Sequence, residues 1–87
     1  MRLNKKIAVV DDDLEMGRVV KDLLSEEGYE VWQFSSASEA LIRFKKELPH
    51  VLITDNKMKD IDGLMFLKKV HADHPEVVSI MMTAFGS

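Results

Sequence analysis

The sequence contains no cysteine in 87 residues. A disulfide framework and a thiolate metal site are therefore both excluded, which fits a reducing compartment. Proline and glycine are scarce, at two and four residues. Nothing reads as a flexible linker or a low-complexity segment. Long apolar runs are also missing. The N-terminus carries Arg2, Lys5 and Lys6, but the apolar run that follows is only Ile7 to Val10 before three aspartates. Neither a signal peptide nor a membrane-spanning helix fits that pattern, and a soluble cytoplasmic chain with no membrane partner is expected. Basic excess is absent as well. Twelve Lys and Arg stand against fifteen Asp and Glu, for a formal charge of −3. No basic patch of the kind that grips nucleic acid is present, so direct DNA or RNA binding is not expected.

What is present is a chain of one-domain length, 46% hydrophobic, enough for a small packed core. Short apolar runs alternate with helical periodicity. Ile7 to Val10 reads as a strand buried on both faces. Met16, Val19, Val20, Leu23 and Leu24 then recur at helical spacing as one apolar stripe, and Gly28 is placed to stop that helix. Tyr29 to Phe34 reads as a second strand. Ser36 and Glu39 have the spacing of a capping box. Behind them Ala37, Ala40, Leu41 and Phe44 share a helical face, which Pro49 is expected to close. Val51 to Thr54 is a third strand ending at Asp55. Residues 56–62 are polar and read as a loop. Asp62-Gly63 opens a third helix with Phe66, Leu67 and Val70 inward, and Val77 to Met82 is a fourth strand.

The order βαβαβαβ implies right-handed crossovers and a parallel sheet, an α/β fold with helices on both faces. Functional groups in such sheets gather beyond the carboxyl ends of the strands. Those ends carry Asp11 and Asp12, Asp55, and Thr83. Neighbouring first, third and fourth strands would bring three carboxylates and a hydroxyl together. Crowded carboxylates repel and raise one another's pKa, and a divalent cation relieves them. Oxygen-only donors suit magnesium, manganese or calcium rather than zinc. A carboxylate beside such a cation can attack phosphorus and form an aspartyl-phosphate. The plainer reading of Asp13 is a helix N-cap. Asp55 taken alone reads equally well as a turn former. The three histidines, His50, His71 and His74, read as surface residues. The scattered methionines, with Trp32 and Phe34, read as packing.

Val9-Val10-Asp11-Asp12-Asp13, Leu52-Ile53-Thr54-Asp55-Asn56-Lys57-Met58 with Asp62-Gly63, and Ile80-Met81-Met82-Thr83-Ala84 together resemble the receiver domains of bacterial two-component response regulators. Asp12 and Asp55 are 43 residues apart, and Asp55 and Thr83 are 28 apart, separations natural for that family. The resemblance spans residues 1–87 and implies a flavodoxin-like, CheY-like fold with strand order 2-1-3-4. It implies a signalling domain rather than an enzyme. Asp55 would be the phospho-acceptor and Asp12 a direct Mg2+ ligand, with Asp11 acting through water. The backbone carbonyl of Lys57 would be a further ligand, and Thr83 the switch hydroxyl. The donor would be a histidine kinase or phosphotransfer protein. The Met-Thr-Ala-Phe-Gly-Ser ending resembles receivers of enhancer-binding transcriptional activators, and Phe85 lies where access to Asp55 would be gated.

Two departures stand out. Receivers usually carry proline directly after the loop methionine, where this chain has Lys59, so one backbone φ is left unfixed. The fourth helix, fifth strand and fifth helix of the family lie beyond what the sequence contains, together with the lysine that the fifth strand supplies. The fourth strand is then expected as a bare apolar edge that pairs with a second copy, as a homodimer or swapped assembly. A degenerate receiver serving only protein interaction is the alternative. A remoter one is a phosphohydrolase of the haloacid dehalogenase type, on the strength of Asp11-x-Asp13 after an apolar strand.

Overall fold

The computed structural model describes residues 5–82. Seven elements follow in order: β1 (Lys6–Val10), α1 (Leu14–Glu26), β2 (Glu30–Phe34), α2 (Ala37–Phe44), β3 (Val51–Asp55), α3 (Gly63–Asp73) and β4 (Val78–Met82). All strands are parallel, in the order β2-β1-β3-β4. The expected fold and strand order are both present.

Parallel strands alternate their side chains between two covered faces. Ala8, Val10, Trp32 and Leu52 point to one side, where they form a single core with Ala37, Ala40 and Phe44 of α2 and Phe66 and Val70 of α3. Phe34 meets Phe44 edge to face, with centroids 6.2 Å apart. Trp32 is sealed from above by the Arg43 guanidinium, 4.2 Å from its ring centre, a cation–π contact. The other side carries Ile7, Val9 and Gln33. There α1 packs down through Gly17, whose missing Cβ would sit 2.9 Å from the Gln33 amide nitrogen.

The apolar stripe of α1 is only partly used. Val20 and Leu24 are half-buried, whereas Met16, Val19 and Leu23 are exposed. The reason is coverage. Helix α1 lies over β1 and β2, so the same sheet face stays open further along. Val78 and Ile80 share that face with Val51 and Ile53 by register and are 58% and 48% exposed. Among the described residues, α1 is the only helix on this side.

Helix boundaries follow local chemistry. Asp13 is the N-cap of α1, accepting from the backbone N–H of Glu15 and Met16 at 3.1 and 3.2 Å. At the other end Gly28 has φ 98°. Gly28 N–H donates to Ser25 and Tyr29 N–H to Leu24, a Schellman closure. Ser36 caps α2 by accepting from Glu39 N–H at 3.2 Å. The returning Glu39 carboxylate accepts from the N–H and hydroxyl of Ser35, one residue further out than in the simple box. Those bonds outweigh the smaller effect of burial and hold Glu39 below the usual carboxylate range. Pro49 does not close α2, contrary to expectation. The helix ends at Phe44, where Lys46 and Glu47 N–H both turn back to the Arg43 carbonyl. Pro49 lies buried in the approach to β3.

Gly28 is the one described residue with positive φ. Gly28→Ala places a Cβ in that left-handed conformation and is expected to lower stability by about 1–2 kcal/mol, read as a lower urea midpoint at unchanged slope.

Candidate functional site

The carboxyl ends of β1 and β3 meet because the two strands are adjacent. Val10 stands beside Thr54 in register, so the next residues, Asp11 and Asp55, emerge side by side. Each of Asp11, Asp12 and Asp55 has a carboxylate oxygen within 4.8 Å of the other two. Apolar strands hold this cluster from below: Val10 and Thr54 are both fully buried.

The three acids occupy different surroundings. Asp11 is buried, 3% exposed, and its Oδ1 accepts from Asp13 N–H at 2.9 Å. Burial raises its pKa above the usual 3.8. The Asp13 hydrogen bond opposes that shift, while the charges of Asp55, Asp13 and Asp12 add to it. Asp12 and Asp55 are half-buried. Asp55 Oδ1 accepts from Asn56 N–H at 2.8 Å, which aims the carboxylate along the loop. Asp13 is committed to capping α1 and lies outside the cluster. That removes the second acid the dehalogenase-type reading needs, since its Asp-x-Asp pair is divided between two jobs.

The loop after Asp55 is anchored at both ends. Asn56 N–H donates to Met82 at 3.2 Å, and Gly63 N–H donates to Asn56 at 2.8 Å. A Cβ on Gly63 would lie 2.2 Å from the Asp55 carbonyl oxygen. Only glycine lets the first turn of α3 approach so closely. Asp62 caps α3, accepting from Leu64 and Met65 N–H at 2.8 and 3.4 Å. Met58 and Ile61 tuck against the core, and the Thr54 hydroxyl reaches the Met58 sulfur at 3.8 Å. Lys57 and Lys59 are exposed. Thr83 and Phe85 lie outside the described residues. His50, His71 and His74 take no part in the acidic cluster; His50 Nδ1 accepts from Lys6 N–H at 2.9 Å, at the opposite ends of the strands.

Sequence reasoning missed one residue within this loop, Asp60. Its Oδ2 accepts from both the N–H and the hydroxyl of Ser38, at 3.0 and 2.9 Å. Asp60 follows no apolar strand and stands 22 residues from Ser38, so no local pattern signals it.

The donor set fits a divalent cation. It offers oxygen alone, carries surplus negative charge, and includes a buried acid whose ionisation is disfavoured until a positive charge arrives.

A parallel sheet with an acidic cluster at its carboxyl end has many solved counterparts. The family model for the response regulator receiver domain matches residues 7–87. The chain belongs to that family, and it is a phospho-accepting module of the CheY-like type. It is 31% identical over 84 residues to sporulation initiation phosphotransferase F of Bacillus subtilis, covering 97% of this chain and 68% of that protein. It is 32% identical over 84 residues to the transcriptional regulatory protein ZraR of Escherichia coli, covering 97% of this chain and 19% of that one. Among solved structures, a receiver domain protein from Methanospirillum hungatei superposes with a TM-score of 0.90 at 34% identity, covering 98% of this chain and 68% of that one. The response regulator TrrA from Thermotoga maritima, solved in complex with Mg(2+)-BeF, gives 0.88 at 32% identity over 94% of this chain and 71% of that one. The chain thus spans about two thirds of the Bacillus protein and about a third of the Porphyra purpurea ycf27 protein. Among the described residues no helix is long and apolar enough to cross a membrane.

The raised pKa of Asp11 has a sign that can be tested. Above that pKa the native state holds a disfavoured charge. As pH falls through it toward the unfolded value of 3.8, the native state takes up the proton first and the penalty disappears. Asp11→Asn is therefore expected to stabilise the metal-free protein at neutral pH, with the gain vanishing in acid. Thermal melts in EDTA across pH 3–8 check this.

Proposed function

We propose that Asp55 is the phospho-acceptor of this chain. The single observation supporting the reading is the convergence of Asp11, Asp12 and Asp55 oxygens within 4.8 Å at the carboxyl ends of two adjacent strands. Asp12 and Asp55 would hold Mg2+ directly, with the backbone carbonyl of Lys57, and Asp11 through water. The cation, when bound, neutralises charge on the transferring phosphoryl oxygens. An Asp55 carboxylate oxygen attacks the phosphorus of a phosphohistidine. The P–O bond forms as the P–N bond breaks, and the departing imidazole takes up a proton. The Asn56 N–H bond to Asp55 Oδ1 fixes the orientation of the carboxylate. Thr83 is the hydroxyl assigned to the new phosphoryl group.

The donor in this reading is a histidine kinase or phosphotransfer protein in the cytoplasm. The output is signalling rather than turnover of a substrate, and this segment makes no direct contact with nucleic acid. We read residues 1–87 as the N-terminal portion of a receiver. Supporting this, the chain covers 68% of the Bacillus relative and 68% of the Methanospirillum structure. Among the described residues β4 is an edge strand, and its exposed Val78 and Ile80 support pairing with a second copy of the chain.

Incubation with acetyl phosphate and Mg2+ is expected to add one phosphoryl group by intact mass, and Asp55→Asn to abolish it. No increment in a folded sample overturns the reading and assigns the chain to protein interaction alone. Sedimentation velocity of the 87-residue chain is expected to show a dimer, and Ile80→Lys to shift it toward monomer. A wild-type monomer at high concentration rejects the pairing.

A further inference from the structure

The loop of residues 56–62 contains no proline, and between its anchored ends it runs through exposed Lys57 and Lys59. A segment with that composition has free backbone torsions. Half-buried Met58 and Ile61 restrain it from one side. The remaining hold is lateral. Asp60 Oδ2 receives two hydrogen bonds from one residue, the N–H and hydroxyl of Ser38. Ser38 is a fixed post. It is the second residue of α2, whose start is already secured by Ser36 on Glu39 N–H and by Glu39 on Ser35.

The pair is charge-assisted, and the carboxylate sits against the positive end of α2. Asp60 is exposed, and the desolvation it does undergo pushes its carboxyl upward. Hydrogen bonds from the Ser38 N–H and hydroxyl, then from Ala37 and its own N–H, overcome this and leave it below its usual value. Asp60 is not one of the three clustered acids, and its carboxylate is turned away to a helix on the other side of the loop.

We propose that Asp60 is a positioning residue for the phospho-acceptor site: bound to Ser38, it clamps residues 57–59 against α2 and so sets the Lys57 backbone beside Asp55. This rests on the reading of Asp55 given above. It adds a residue that touches neither cation nor phosphate. The clamp does at the side-chain level what a fixed φ at position 59 would do in the backbone.

Hydrogen–deuterium exchange tests the clamp without metal or phosphate. Asp60→Ala is expected to speed exchange of the hydrogen-bonded amides that hold the loop, those of Asn56, Gly63 and Ser38, by roughly three- to tenfold, the loss of one or two hydrogen bonds, with β1 and β3 amides unchanged. Mg2+ affinity, measured by titration with the metal alone, is expected to weaken by a similar factor. Asp60→Asn, which keeps an acceptor oxygen, is expected to restore most of both. Unchanged loop exchange and unchanged Mg2+ affinity in Asp60→Ala overturn the proposal. If Asp60→Ala speeds exchange everywhere, Ser38→Ala decides: it deletes one bond and leaves the carboxylate. A change confined to the loop supports the clamp, and none rejects it. A wild-type protein that takes no phosphate defeats the reading of Asp55 alone, because the exchange measurement reads the loop independently.

Discussion

The parallel pairing of β1 with β3 is the constraint on which the acidic site depends. Parallel neighbours need a crossover, and here β2 and its flanking helices supply it, so two strands 40 residues apart in sequence lie side by side. The register then decides the chemistry. With Val10 beside Thr54, the two chains run out of apolar residues at the same height, and each continues into aspartate. A slip of one residue would send Asp55 to the opposite face from its present neighbours. Everything described above the sheet follows from that one alignment: the crowding, the burial of Asp11 and the direction of the loop.

The arrangement sets stability against function within a few residues. Ala8, Val9, Val10 and Leu52 are fully buried, and they hold together groups that repel. Three carboxylates gathered without a counter-charge weaken the native state, and burial of Asp11 sharpens that. The cluster persists because its supports are independent of it. Asp13 is engaged with α1, Asp62 with α3 and Asp60 with α2. Six acids gathered together would compound the repulsion; distributing the other three to helix N-termini turns their charge into stabilisation. Composition alone makes the chain look mildly acidic, yet acids in similar sequence settings have opposite energetic signs.

The seven elements and the acids at the strand ends were legible because each rests on a local pattern, whereas the sheet order came from resemblance. Apolar runs of four or five residues ending abruptly in aspartate mark buried strands and their exits, and Asp13, Ser36 and Gly28 announce helix ends. What was not legible depends on contacts between distant residues. The stripe of α1 is evenly apolar, and nothing in it says that Val20 and Leu24 face the sheet while Met16, Val19 and Leu23 do not. That is decided by how far α1 reaches over the sheet. Pro49 looked like a helix stop, but Arg43 had already closed the helix through its carbonyl. Asp60 reads as one more polar loop residue until Ser38 is found beside it. The role assigned to Thr83 came from resemblance, and that residue lies outside the described part of the chain.

The close approach of Gly63 to Asp55 has a mechanical meaning. With space for a hydrogen and no more between the helix start and the Asp55 carbonyl, α3 is coupled to the acceptor's backbone without slack. Eleven residues of helix, about 16 Å at 1.5 Å per residue, extend from that fulcrum. Val70 in the core and the turn at His74 lie toward its far end, next to the entry of β4. A small tilt at the acceptor would be carried along a rigid arm to the far ends of the strands, where β4 enters the sheet.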